Sequence, residues 1–186
     1  MPNLPISQLP ELTSIQTSAE FAVAQGGVTY RVKAANITTG VLYGSFFSSL
    51  DQPITANVPK AMSADTVDLS SGISVVDGSK FTVSSGGTFN LQFSAQVAQA
   101  SNAAELAVWI RKNGADVSDS TTVIDLQNNS KYLFALNYYI ELTAGQYVEV
   151  WWASSSANTT IEYLPLQTTP YNRPAVPSLI VTMSQI

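Results

Sequence analysis

From Val41 onward, apolar and polar residues alternate with a period of two. In GTFNLQFSAQVAQ, Phe89, Leu91, Phe93, Ala95 and Val97 fall on one face and Asn90, Gln92, Ser94 and Gln96 on the other. A helix at 3.6 residues per turn would mix these two sets, so the stretch predicts a half-buried strand. KYLFALNYYIELTAG groups Tyr132, Phe134, Leu136, Tyr138, Ile140 and Leu142 in the same way. AELAVWIRKNGADV groups Leu106, Val108 and Ile110 ahead of a turn at Asn113-Gly114, and VPSLIVTMSQI groups Leu179, Val181 and Met183. Further short strands are predicted at Phe46–Leu50, Ile54–Val58, Lys80–Val83, Thr121–Leu126, Tyr147–Ala153 and Thr160–Leu164. A series of short strands separated by turn residues, with no helix longer than a turn or two, predicts an all-β sandwich or barrel.

QYVEVWWAS departs from simple alternation. Val148, Val150 and Trp152 take one face, but Tyr147 and Trp151 flank Glu149 on the other. A strand apolar on both faces is covered on both, so the second cover is expected from a loop or another subunit. Aromatic residues on an outward face are what subunit interfaces use, and Trp109, Tyr139, Tyr147 and Trp151 are the candidates for that contact.

The first forty residues read differently. Met1 to Ser18 carries Pro2, Pro5 and Pro10 among Leu4, Ile6, Leu9, Leu12 and Ile15. Proline interrupts both helix and sheet ladders, so this reads as an extended arm. FAVAQGGVTYRV predicts a miniature hairpin turning at Gln25-Gly26-Gly27, and KAANITTG a brief helical turn or loop leading out of it. The expected organisation is an arm and hairpin over 1–40 and one β domain over 41–186.

Composition narrows the chemistry. The 186 residues are 45% hydrophobic and 11% charged, with no cysteine and no histidine. That removes disulfides, thiolate and imidazole metal sites, and nucleophilic mechanisms built on Cys or His. Net charge is -5 and the eight Lys and Arg are scattered, so no row of phosphates would be neutralised and nucleic acid is not an expected partner. MPNLPISQLPELTS has no basic segment followed by an apolar run, and no window reaches the length of a membrane span. The expectation is a chain made in a cytoplasm, with no membrane partner.

Two resemblances rest on quoted motifs. FTVSSGGTFNLQFSAQV, WIRKNGADV, IELTAGQYVEVWW and PSLIVTMSQI, in this order, resemble the strands and turns of the C1q/TNF-like jelly roll, with Gln146 where that family more commonly has Asp. The match runs from Lys80 to Ile186 and implies a jelly-roll β-sandwich and a homotrimer. ISQLPELTSIQTSAEFAVAQGGVTYRVKAANI resembles a short module at the start of many tailed-phage structural proteins, with Leu9-Pro10, Val23, Gln25, Gly26, Gly27, Val28, Thr29, Arg31 and Val32 fitting its pattern. This resemblance implies an anchor on a virion, contacting the major capsid protein or another virion protein through Leu4, Leu9, Phe21, Val23, Gly26, Gly27, Tyr30 and Val32.

Catalysis has no visible constellation. Asp116, Asp119 and Asp125, and earlier Asp65, Asp68 and Asp77, read as solvated turn acids, since no spacing matches a calcium loop and no pair is marked for glycoside hydrolysis. Asn36, Asn128 and Asn158 begin N-x-S/T triplets that read as chance matches. Trp109, Trp151, Trp152 and Tyr171 would stack on a host-surface glycan if exposed at a tip, but three of the four lie on predicted strands and read as core or interface. No enzyme, cofactor or metal is therefore expected. The combined reading is a trimeric phage virion protein, favoured as a capsid decoration or cement protein because the chain has no shaft repeat or coiled-coil heptads. A short tail-fibre or receptor-binding knob is the alternative within that class, and a carbohydrate-binding lectin the alternative outside it.

Overall fold

The computed structural model describes residues 19–33 and 40–186, and its contacts divide the chain into units 1–40 and 41–186. In the first unit, β1 (Glu20–Gln25) and β2 (Val28–Lys33) pair antiparallel in register, Phe21 opposite Val32 and Val23 opposite Tyr30. Gly26 and Gly27 form the two-residue turn with φ of 59° and 78°. Two successive positive φ values match the twist of a hairpin and suit glycine, which has no Cβ to clash. The arm with Leu4 and Leu9, and most of the KAANITTG connection, lie outside the described residues.

The second unit is two packed sheets. The first contains β3 (Tyr43–Ser48), β16 (Leu179–Gln185), β9 (Gly87–Gln99) and β13 (Ser130–Leu142) side by side. At its margins are β4 (Gln52–Pro53), β15 (Thr159–Ile161) and β6 (Thr66–Ser71). The second contains β8 (Lys80–Val83), β14 (Tyr147–Ser154), β10 (Ala104–Lys112) and β12 (Thr122–Leu126). It is extended by β5 (Lys60–Ala61), β7 (Ile73–Val76) and β11 (Ala115–Asp116). Successive long strands cross from one sheet to the other while the first and last, β3 and β16, pair with each other. That interleaving is a jelly roll.

The alternating residues meet between the sheets. Phe46 and Phe81 pack with ring centroids 5.3 Å apart, and Phe93 stacks on Phe134 at 6.0 Å across β9 and β13. Trp152 is completely buried. Among the described residues, every member of this core lies at or beyond Leu42. The tight turn between β10 and β11 uses left-handed backbone, Asn113-Gly114 having φ of 49° and 80°.

Two strand expectations fail. Ile54–Val58 is a turn, because Asn57 takes φ of 61° and Val58 N–H donates to Thr55 C=O at 3.1 Å, while Asn57 N–H reaches across to Ser154 C=O at 2.8 Å. The predicted Thr160–Leu164 strand stops at Ile161 and gives way to the long connection to β16. Conversely, β6 and β7 form from TVDLSSGISVV, whose polar residues conceal the period. Their pairing with β3 and β8 supplies what local pattern does not.

Candidate functional site

Three surfaces carry the residues singled out by sequence. The hairpin has one apolar face, made by Phe21, Val23, Val28, Tyr30 and Val32, and one polar face with Glu20, Thr29, Arg31 and Lys33. Val23, Val28 and Tyr30 are 43%, 52% and 51% exposed. Arg31 and Glu20 form an exposed ion pair at 3.4 Å on the polar face, of little stabilising value in water. Gly26 and Gly27 shape the turn and offer no apolar contact.

The outward face of the first sheet is the second surface. Along β13 it presents Leu133, Ala135, Asn137 and Tyr139; along β9, Gln92 and Ser94; along β16, Ile180 and Thr182. Leu133 and Tyr139 are 64% and 60% exposed. Across the strands β3, β16, β9 and β13, charged side chains on this face occur only at Lys131 and Glu141, the two ends of β13, and Lys131 pairs with Glu162. A shallow groove of about 480 Å³ runs between β13 and β16 over Gln92 and Ser94, with Ala135, Asn137, Ile180 and Thr182 on its walls.

The outward face of the second sheet holds Trp109, Tyr147 and Trp151. Trp109 and Trp151 are direct cross-strand partners, and the Arg111 guanidinium sits 4.3 Å from the Trp151 ring. Both indole N–H groups are used: Trp109 donates to Asp116 at 2.8 Å and Trp151 to Glu149 at 3.2 Å. Arg111 pairs with Asp116 at 3.0 Å, and Ser79 donates to the nearly buried Glu149 at 2.7 Å. The Lys80 ammonium lies 5.4 Å from the Tyr147 ring. Its pKa is raised by the hydrogen bond and the charge of Asp77. Much of the cover that the doubly apolar β14 requires is thus intramolecular.

The four aromatic residues expected at a subunit contact therefore do not share one surface: Tyr139 lies on the first sheet, and Trp109, Tyr147 and Trp151 on the second. Leu133 and Ile180, beside Tyr139's row and across the groove, were not singled out by sequence. Their signal is an aliphatic residue on the strand face opposite the core set, which is visible in KYLFALNYY and SLIVTMS once the core face is fixed. Trp152 is core rather than surface, and Tyr171 is exposed in the connection between β15 and β16.

Among the described residues, no three carboxylates come together as a metal site, and no helix is long and apolar enough to cross a membrane. The Lys60 ammonium donates to Pro53 C=O at 2.7 Å, and partial burial lowers its pKa.

No family model matches the chain, and no curated protein matches it. Solved structures do. Murine APRIL, crystallised at pH 5.0, superposes with a TM-score of 0.51 at 9% identity, over 78% of this chain and 99% of that one. The globular domain of zebrafish complement 1qA superposes with a TM-score of 0.47 at 8% identity, over 78% of this chain and 97% of that one. The chain has the C1q/TNF-like jelly-roll fold.

Proposed function

We propose that this chain is a structural protein of a tailed-phage particle. It forms a homotrimer through the outward face of the first sheet, docks by its amino-terminal hairpin and decorates the capsid. The observation that carries this reading is the hairpin: two strands with a one-sided apolar face and, among the described residues, no core of their own. A lone two-stranded hairpin is marginal in water, so Phe21, Val23, Tyr30 and Val32 gain stability by being covered. The resemblance of the surrounding sequence to a phage appendage module supports a virion surface, such as the major capsid protein, as that cover.

The trimer is supported by the composition of the first sheet's outer face. Copies of a chain with net charge -5 repel one another, and association is favoured where the facing patch carries no charge and exposes Leu133, Tyr139 and Ile180. This reading keeps Tyr139 at the subunit contact and releases Trp109, Tyr147 and Trp151 from it. Three hairpins on one trimer raise affinity through effective concentration, without a stronger individual contact.

The test is co-sedimentation of purified full-length protein with particles stripped of it, beside a Val23→Asp/Tyr30→Asp variant and a variant lacking residues 1–40. The expected result is trimers in all three samples and particle association in the first alone. Undiminished association of either variant overturns the anchor. The number of copies per particle then separates decoration, with hundreds of chains, from a tail or vertex appendage.

A further inference from the structure

The connection from β15 to β16, residues 162–178, is a folded arm. Leu164 and Val176 exchange backbone hydrogen bonds at 3.0 and 2.8 Å, and Gln167 and Arg173 do so at 3.1 and 3.0 Å. The half-buried Arg173 directs its guanidinium back to Pro165 C=O and Pro174 C=O, both at 3.0 Å. Gln167 reaches the carbonyl of Tyr171 at 3.4 Å. Internal bonds and Pro165, Pro170, Pro174 and Pro177 fix the shape before any ligand arrives, which lowers the ordering cost of binding.

What the arm presents is specific in kind. Leu166 and Tyr171 are 66% and 64% exposed, beside the exposed Thr168, Thr169 and Asn172. From Leu166 to Asn172 there is no acid and no base, and the adjoining Arg173 is committed to backbone carbonyls. A ring that is apolar on its face and polar at its hydroxyl, set among short hydroxyl and amide side chains, is the chemistry of an adaptable polar paratope. Between Leu166 and Asn172 no side chain carries a charge to neutralise phosphate, sulfate or carboxylate, and the Arg173 guanidinium at the loop's end is turned back by Nη1 onto the two proline carbonyls.

The arm lies at the end of the sandwich where β3 and β9 finish and β16 begins, and Val41, where the chain enters the domain, lies at the other end, beside the start of β3. We infer that the Gln167–Arg173 loop is a binding site for a neutral saccharide, with Tyr171 stacking on the sugar face and Thr168, Thr169 and Asn172 hydrogen-bonding its hydroxyls. This rests on the proposed function only for the loop's outward orientation and for threefold avidity, which offsets a weak single site.

The experiment is binding of soluble full-length protein to an array of neutral, sialylated and sulfated oligosaccharides, with no particle involved, so its outcome is independent of the anchor. The expected result is binding of neutral members, reduced about tenfold or more by Tyr171→Ala, a loss of about 1.4 kcal/mol. Tyr171→Phe should keep most of the binding, since the ring face remains. Unchanged elution volume and melting temperature show that both variants fold. No binding of any neutral saccharide, binding confined to charged ones, or undiminished binding by Tyr171→Ala overturns the inference.

Discussion

Trp109 and Trp151 face each other across β10 and β14 with ring centroids 6.4 Å apart and planes inclined at 38°, and Arg111 packs on Trp151. The three side chains form a ladder whose indole N–H groups are taken by Asp116 and Glu149 and whose guanidinium charge is paired with Asp116. A surface so satisfied within one chain has little to gain from a neighbour.

Trp151→Ala should therefore lower the stability of the jelly roll by about 2 kcal/mol, below the cost of a fully buried tryptophan because the ring is only half covered. Molecular mass by light scattering should stay that of the parent, the proposed trimer. A variant that melts like the parent but elutes as a monomer would place the subunit contact on this face instead.

Leu133→Lys/Ile180→Lys should have the opposite effect. Both side chains point away from the core, so the protomer should keep its circular dichroism spectrum while the trimer dissociates, because the two lysines would have to be desolvated without partners. A double variant that remains trimeric at micromolar concentration shows that this face is free.

Between the sheets, Thr159 holds a small polar network: its hydroxyl lies 2.6 Å from Ser154 Oγ and donates to Gln99 Oε1, also at 2.6 Å. Gln99 in turn donates to the carbonyls of Ser101 and Asn102 at 2.7 and 3.1 Å. Thr159→Val keeps the shape but leaves Gln99 Oε1 and Ser154 Oγ short of a partner in a buried site, at a cost of about 1–3 kcal/mol. Urea unfolding should show a lower midpoint with an unchanged slope; an unchanged midpoint would mean the network contributes nothing.

Asp65 gives the acid limb a residue-specific component. Desolvation pushes its pKa up, but hydrogen bonds from the Thr66 and Ser49 hydroxyls and the Ser49 N–H outweigh this and hold it below the usual carboxylate value. A folded-state pKa below the unfolded one, about 3.9, means that the contribution is present at neutral pH and is lost as pH falls through the folded value. Asp65→Asn should lower the urea midpoint at neutral pH and converge with the parent in acid. A difference that persists undiminished at the acid end contradicts this assignment.

The alternation of Phe89, Leu91, Phe93, Ala95 and Val97, or of Phe134 and Ile140, assigned each residue to a side of its strand without reference to anything distant, because a strand's side chains alternate whatever it pairs with. Gly26-Gly27 and Asn113-Gly114 were equally local, each needing positive φ that few other residues supply. The period could not say which of the two sheets a strand joins. Placing Trp109 opposite Trp151, and Tyr139 on the far sheet, was therefore left to strand order, and four aromatic residues that look alike in sequence came to lie on two surfaces. Ile54–Val58 shows the same limit: an apolar segment became a turn because Asn57 found Ser154, a partner almost a hundred residues away. Sequence alone determined which residues face inward. Tertiary structure decided what lies on the other side, since that depends on contacts between segments whose separation along the chain carries no pattern.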